Sequence, residues 1–497
     1  MTSMDTTPAS TFSYWGRLRS PGILGLNLGG TIFLFSGMIA SVIVMMVNPN
    51  PLWALAVFLP VVVLCWIFAR KDKHDRSLID DSVDRLEHVS ARRRDATLYR
   101  SGPAGMIPSG RNQLPGLAAK SKTYEAYDSY GRPFAIIHHP VPGHATVVFA
   151  TDPEGGSLVD RQQVESWVAG LDQFLTALAE EPDVVAAAVG IESAPDTGAK
   201  LRRNVKSNLD PNAHPLSVEI LTQSVVYPTG NAVISGFATI TVALTTGYGQ
   251  KRTIDTIATD LAARLPRWAG LLSVTGAGAV RPMSEQELAE TVRICYDPSA
   301  EEFIEKSYAE GVIPELDWAD VGPVSYDAEE DYFAHDGARS VTWQMTGAPM
   351  GVVRSDIFER FLAPHPDIPR KRVTFLYRPI EQAEVYTVAQ KDSNTGGFLS
   401  GTYRGNAEAA AAVHRAVEVA NGHGLVNFGL VATVTVPSMD VLPAAENALE
   451  SLSGNARTRL RVAYNMQHVA FAAGLPLGLV LPLHFKRPTA TKKRRRR

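Results

Sequence analysis

The 497 residues predict a membrane-anchored α+β chain, a two-helix transmembrane hairpin followed by two β-α-β-β-α-β modules. Three observations carry that class. Two long runs without a charge, Ile23 to Val47 and Leu52 to Ala69, stand on either side of Asn48-Pro49-Asn50-Pro51. Downstream, a helical stripe framed by β-type runs occurs twice in succession. Both sets also carry an inserted helical segment between the second and third strands.

The first run is roughly 25 residues and the second roughly 18, against about 20 for a helix that crosses a bilayer. The two prolines between them forbid a continuous helix, so the chain turns back. Arg17 and Arg19 precede the first run and Arg70, Lys71, Lys73 and Arg76 follow the second, while the turn has no positive charge. The positive-inside rule then predicts a multi-pass protein of the cell membrane with both termini cytoplasmic. A cleaved signal peptide fits less well, because the run is too long and lacks a small-residue cleavage site. Trp15, Trp53 and Trp66 sit where interfacial anchors belong. Gly25 and Gly29 form a small-x-x-x-small pair around Asn27, and Gly37 with Ser41 repeats the spacing. That face packs either on the second run or on another helix. No ionisable residue lies in either run, which argues against an ion path.

Formal net charge is only -3 and mean hydropathy is close to zero, so the bulk carries no electrostatic sign of nucleic acid. Two cysteines, Cys65 and Cys295, exclude a disulfide framework.

The chain divides into a segment at 1–22, the hairpin at 23–69, a charged helix and Pro/Gly linker at 70–117, a first module at 118–280, a helical connector at 281–335, a second module at 336–475 and a basic tail at 476–497. In the first module, strands are expected at Phe134 to His138, His144 to Ala150, Val184 to Ile191, Ile234 to Leu244 and Leu271 to Thr275. Val164, Trp167, Val168, Leu171, Phe174, Leu175 and Leu178 mark one helix, and Ile254, Ile257, Leu261 and Leu265 another. Pro215 to Tyr227 is the helical insertion. Ser284 and Glu287 form a capping box opening the connector. In the second module, strands are expected at Ser340 to Met345, Arg372 to Tyr377, Leu425 to Val436 and Arg459 to Val462. Helices are expected at Val353 to Leu362 and Leu442 to Leu452, with an insertion at Asn406 to Asn421. Both sets read as ferredoxin-like units, the split β-α-β arrangement, and the matching insertions point to duplication of one module.

Catalytic motifs are missing. No phosphate-binding loop G-x-x-x-x-G-K-[ST] occurs, and Gly276-Ala277-Gly278 lacks the lysine and hydroxyl such a loop needs. There is no G-x-S-x-G and no H-E-x-x-H. His138, His139 and His144 lie close in sequence but without a carboxylate at a ligand spacing, and His335-Asp336 and His365 read as turn residues. No cofactor is expected. Lys492, Lys493, Arg494, Arg495, Arg496 and Arg497 end the chain as a basic run suited to anionic membrane lipid, to DNA or to an acidic partner.

Tyr130-Gly-Arg-Pro-Phe-Ala-Ile-Ile-His-His-Pro, Trp167-Val-Ala-Gly, Arg264-Leu-Pro, Thr275-Gly-Ala-Gly-Ala, Leu316-Asp-Trp-Ala-Asp, His335-Asp-Gly-Ala, Ala363-Pro-His-Pro-Asp-Ile and Lys371-Arg-Val-Thr-Phe-Leu-Tyr-Arg-Pro resemble the signature of membrane proteins encoded by actinobacterial conjugative and integrative elements. In that family the two-span start is similar to the small inner-membrane subunit of type IV secretion systems. The remainder resembles the amino-terminal domain of the secretion ATPase, without its motor. The resemblance implies a non-enzymatic inner-membrane scaffold that docks a separate secretion ATPase polypeptide to the channel, among other secretion membrane subunits and further copies of itself. The alternative is a membrane-tethered adaptor that presents DNA through the basic tail.

Overall fold

The computed structural model describes residues 11–12, 28–47, 78–102, 110–155, 159–196, 212–224, 232–245, 250–349, 353–379 and 426–484, with isolated positions between them. The insertion expected at Asn406 to Asn421 lies outside the described residues.

The chain opens with β1 (Thr11–Phe12) and α1 (Leu28–Val47). A Cβ on Gly37 would collide with the Val61 side chain, so the second apolar run packs on α1 at this small residue. The transmembrane hairpin and the multi-pass membrane location are nonetheless corrected. Among the described residues no helix is long and apolar enough to cross a membrane.

After α2 (Leu78–Arg92) and β2 (Leu98–Arg100), the first set runs β3 (Lys122–Tyr127), β4 (Pro133–His139), β5 (His144–Asp152), α3 (Arg161–Glu180), β6 (Val184–Pro195), α4 (Pro215–Ser224), β7 (Ala232–Ala243), α5 (Ile254–Ser273) and β8 (Ala279–Pro282). The closing strand lies beyond the expected Leu271 to Thr275, because α5 continues through Pro266 to bury Trp268 and Leu272 at helical spacing. α6 (Glu285–Tyr296) starts at Ser284, whose hydroxyl accepts from the Glu287 N–H.

α7 (Ala300–Ala309), β9 (Ser325–Ala328) and β10 (Phe333–His335) lead to the second set. It contains β11 (Ala338–Gly347), β12 (Val353–Arg354), α8 (Glu359–Leu362), β13 (Arg370–Pro379), β14 (Val426–Val436), α9 (Leu442–Asn455) and β15 (Arg459–Val462). The helix expected from Val353 shrinks to α8 because β12 is drawn into an antiparallel pair with β1, Thr11 opposite Arg354. α10 (Gln467–Ala473) and α11 (Leu481–His484) follow.

Thirteen strands form one sheet in the order β2-β9-β10-β11-β14-β13-β6-β7-β5-β4-β3, with β15 on β11 and β8 on β5. Within it the order β8-β5-β7-β6 recurs as β15-β11-β14-β13. The expectation of two separate ferredoxin-like modules is corrected at their meeting point. β6 and β13 pair with each other, from Ser193 opposite Lys371 to Ala187 opposite Tyr377. Two strands that would each have left a row of unpaired backbone groups at a module's edge close one another instead. Gly190 sits in this seam, where a Cβ would run into the Phe237 ring.

One core covers one face of the sheet from β11 through the seam to β4. Phe174 of α3, Trp268 of α5, Phe361 of α8 and Leu449 of α9 share it with Ile240, Val373 and Phe375. On the opposite face α6, α10 and the segment through Leu477 pack on Ile137, Val148 and Phe237. Helices from both sets thus rest on one shared layer.

Candidate functional site

Three places on this scaffold hold polar groups that the core alone does not require. The first is a strap across the second face. That face is lined by buried hydroxyls paired across strands, Ser340 with Thr435 at 2.7 Å, Thr342 with Thr433 at 3.0 Å and Thr146 with Thr241 at 2.9 Å. The chain after β15 lies over them and satisfies its own backbone on them. The Gln467 side chain accepts from the Thr342 N–H at 2.8 Å and donates to its carbonyl at 3.2 Å. Thr374 Oγ1 donates to the Gly474 carbonyl at 2.9 Å, and His139 Nε2 meets the Leu477 carbonyl at 2.8 Å. Gly478 is left-handed, with φ +63°, and a Cβ there would strike Thr146. His139 and His144 face each other across the β4–β5 hairpin, with His484 of α11 ring to ring against His139 at 6.0 Å. Burial pushes both hairpin imidazoles down to about 4, reinforced by the neighbouring histidines, so they are neutral at pH 7. Among the described residues no group of three His, Cys, Asp or Glu is arranged to hold a metal.

The second place is the seam. Glu192 accepts from Arg370 Nη1 and from Arg372 Nε, both at 2.8 Å, and Arg370 also binds Glu301 of α7. Burial alone would raise the Glu192 carboxyl, but the Arg372 and Arg370 guanidinium groups outweigh it and hold it at about 2. The Cys295 thiol is buried beside this pair and burial pushes it up to about 12, which leaves it inert as a nucleophile. On the opposite face of β13, Lys371 donates to the Phe361 carbonyl at 2.8 Å and to that of Ala363. Burial brings its ammonium down to about 8. It serves as the C-terminal cap of α8 rather than as an approachable amine.

The third place opens to the outside. A groove of about 890 Å³ lies beside β15, with Trp343 in its floor, Leu449 and Ser453 of α9 on one wall, and Arg85 of α2 and Glu330 at its rim. Arg92 of α2 binds Glu329 with two hydrogen bonds of 3.0 and 3.4 Å, and Arg85 approaches Glu330 at 3.9 Å, which sets α2 along this side. β15 is bounded by two left-handed residues, Arg457 at φ +50° and Asn465 at φ +64°. Arg457 follows α9, donating to the Gly454 carbonyl while the Thr458 N–H bonds the Ser453 carbonyl at 3.0 Å, the pattern that usually places glycine there. The groove, not the strap or the seam, is accessible to a partner.

Of the residues singled out from the sequence, the described ones lie in α1. Gly37 is buried against Val61 and Ser41 lies half-buried in α1. Gly29 lies in α1. Gly25, Asn27, Trp15, Trp53, Trp66 and Lys492, Lys493, Arg494, Arg495, Arg496 and Arg497 lie outside the described residues. The quoted motifs do structural work. Asp336 and Gly337, both at positive φ, turn the β10–β11 hairpin in the manner of a type I′ loop. Arg264 holds Asp183 at 2.9 Å and Asp260 at 2.6 Å, and Trp318 Nε1 donates to Ser121 at 3.0 Å. What sequence reading missed is the groove, although the alternation Arg459-Leu460-Arg461-Val462 marked its strand.

A family model, described as a domain of unknown function (DUF8461), matches residues 19–80. No curated protein matches the chain.

Proposed function

We propose that this chain is a non-enzymatic scaffold subunit of a conjugative type IV secretion apparatus that docks a separate ATPase polypeptide. The observation that supports it is the groove beside β15, an accessible, mixed polar and apolar surface at the end of a rigid sheet. The seam and strap groups are committed to internal hydrogen bonds, so they hold the platform and leave recognition to its edge. The resemblance supplies the partner class. Purified full chain, mixed with a secretion ATPase from the same cells and analysed by size-exclusion with light scattering, is expected to give a stoichiometric complex. The chain alone is expected to release no phosphate from magnesium ATP. Hydrolysis that follows the chain through successive columns, or separate elution of the two proteins, overturns the reading.

A further inference from the structure

We propose that the outer edge of β15 takes an extended, acidic segment of a partner protein as an added antiparallel strand. The inference rests on the docking reading above and names its chemistry. The Ala463 N–H donates to the Thr342 carbonyl at 2.9 Å, which fixes the alternation along the pair. Residue 461 therefore faces β11, and the backbone groups of Leu460 and the Val462 N–H face away from it, the Val462 carbonyl being taken by the Tyr464 N–H at 2.9 Å. Among the described residues no strand pairs with that outer side. The groove lies along it and offers room for side chains that alternate into and out of the sheet plane.

Charge selects the occupant. Arg459 and Arg461 flank Leu460 on one face of the strand. In a second copy paired about a two-fold axis at Leu460, Arg459 would oppose Arg461, and at Arg461 the arginine would oppose itself. Like charges directly opposite destabilise a pair, so a copy of this edge is disfavoured in those two registers, whereas a strand with carboxylates at alternate positions is favoured. The other half of the sheet shows how such an edge is closed. At β8 the Met283 N–H donates to the Val148 carbonyl at 2.9 Å, so Val280 and Pro282 face outward, and Pro282 occupies the place of Val462 without an N–H to offer.

The test is polarisation of a fluorescein-labelled peptide of alternating threonine and glutamate titrated with the full chain, beside a threonine-lysine peptide and a threonine-glutamate peptide with a central proline. The glutamate peptide should bind saturably, and the lysine and proline peptides at least about tenfold more weakly. Val462→Pro, which copies the closed edge of the other half, should lose at least about tenfold. The double variant Arg459→Glu with Arg461→Glu should reverse the preference toward the lysine peptide, and it decides the matter if Val462→Pro does not fold. Equal binding of the glutamate and lysine peptides, no saturable binding, or a charge-reversed edge with unchanged preference overturns the proposal. Peptide binding without an ATPase complex sinks the functional reading alone. An ATPase complex that forms equally well with the charge-reversed chain sinks the strand addition alone.

Discussion

β8 and β15 hold equivalent places in the two halves of the sheet, each a four-residue strand on the outer side of the first long strand of its set. In β8 the turn before the strand uses glycine at both left-handed positions, Gly276 and Gly278, and the strand ends in Pro282. In β15 the left-handed position falls on Arg457, two further arginines alternate along the strand, and Val462 keeps its N–H. The first edge carries the devices that stop a sheet from recruiting a partner, and the second omits them. One topology therefore supports both a sealed flank and a receptive one, and the difference lies in a few residues.

The sharpest break of this comparison concerns whether the halves are independent at all. Phe174 and Phe361 play matching roles and both are buried in one shared core. Phe174→Ala should cost about 3 to 5 kcal/mol. Thermal melts should show a single transition shifted as a whole. Two transitions, with the second unmoved, would mean that the halves melt as separate bodies despite the shared sheet.

A smaller effect is expected at the seam. Glu192→Gln removes the carboxylate from two buried arginines and should cost about 1.5 to 3 kcal/mol in urea melts. The Glu192 carboxyl lies at about 2 in the fold against an ordinary 4.5. The stability it contributes is thus complete above about pH 4.5 and is lost as pH falls toward about 2. The wild-type chain should weaken through that window more steeply than Glu192→Gln, and parallel pH profiles would remove the pair from the account.

The smallest effect tests the strained turn. Arg457→Gly makes the second half resemble the first and should stabilise the chain by about 0.5 to 1 kcal/mol, by relieving a left-handed arginine. No gain in melting temperature would show that this turn carries no strain to relieve.

Much of the fold was legible because its elements obey local rules. The stripe from Val164 to Leu178, the capping serine at Ser284 and the alternation through β7 each depend on neighbours in sequence, and α3, α6 and β7 lie there. The fusion of β6 with β13 was not legible, because edge pairing depends on strands far apart in the chain and on Arg372 meeting Glu192 only after both are placed. Nor was the strap. Its carbonyls are held by Thr374 and His139, and no periodic signal precedes a segment whose partners lie about a hundred residues or more away. The apolar runs misled for a related reason. Length without charge reports what a segment can do, and Gly37 against Val61 shows only that the two runs touch.

The strap also changes how the molecule would bear a load. Separating β6 from β13 sideways breaks ladder bonds one after another, the soft direction of any antiparallel seam. The segment from Gln467 to Gly478 runs across that seam and is tied to Thr342 and Thr374 on one side and to Thr241 and His139 on the other. Those ties must all yield together before the halves can part. A pull that parts the two halves would therefore load the strap in shear.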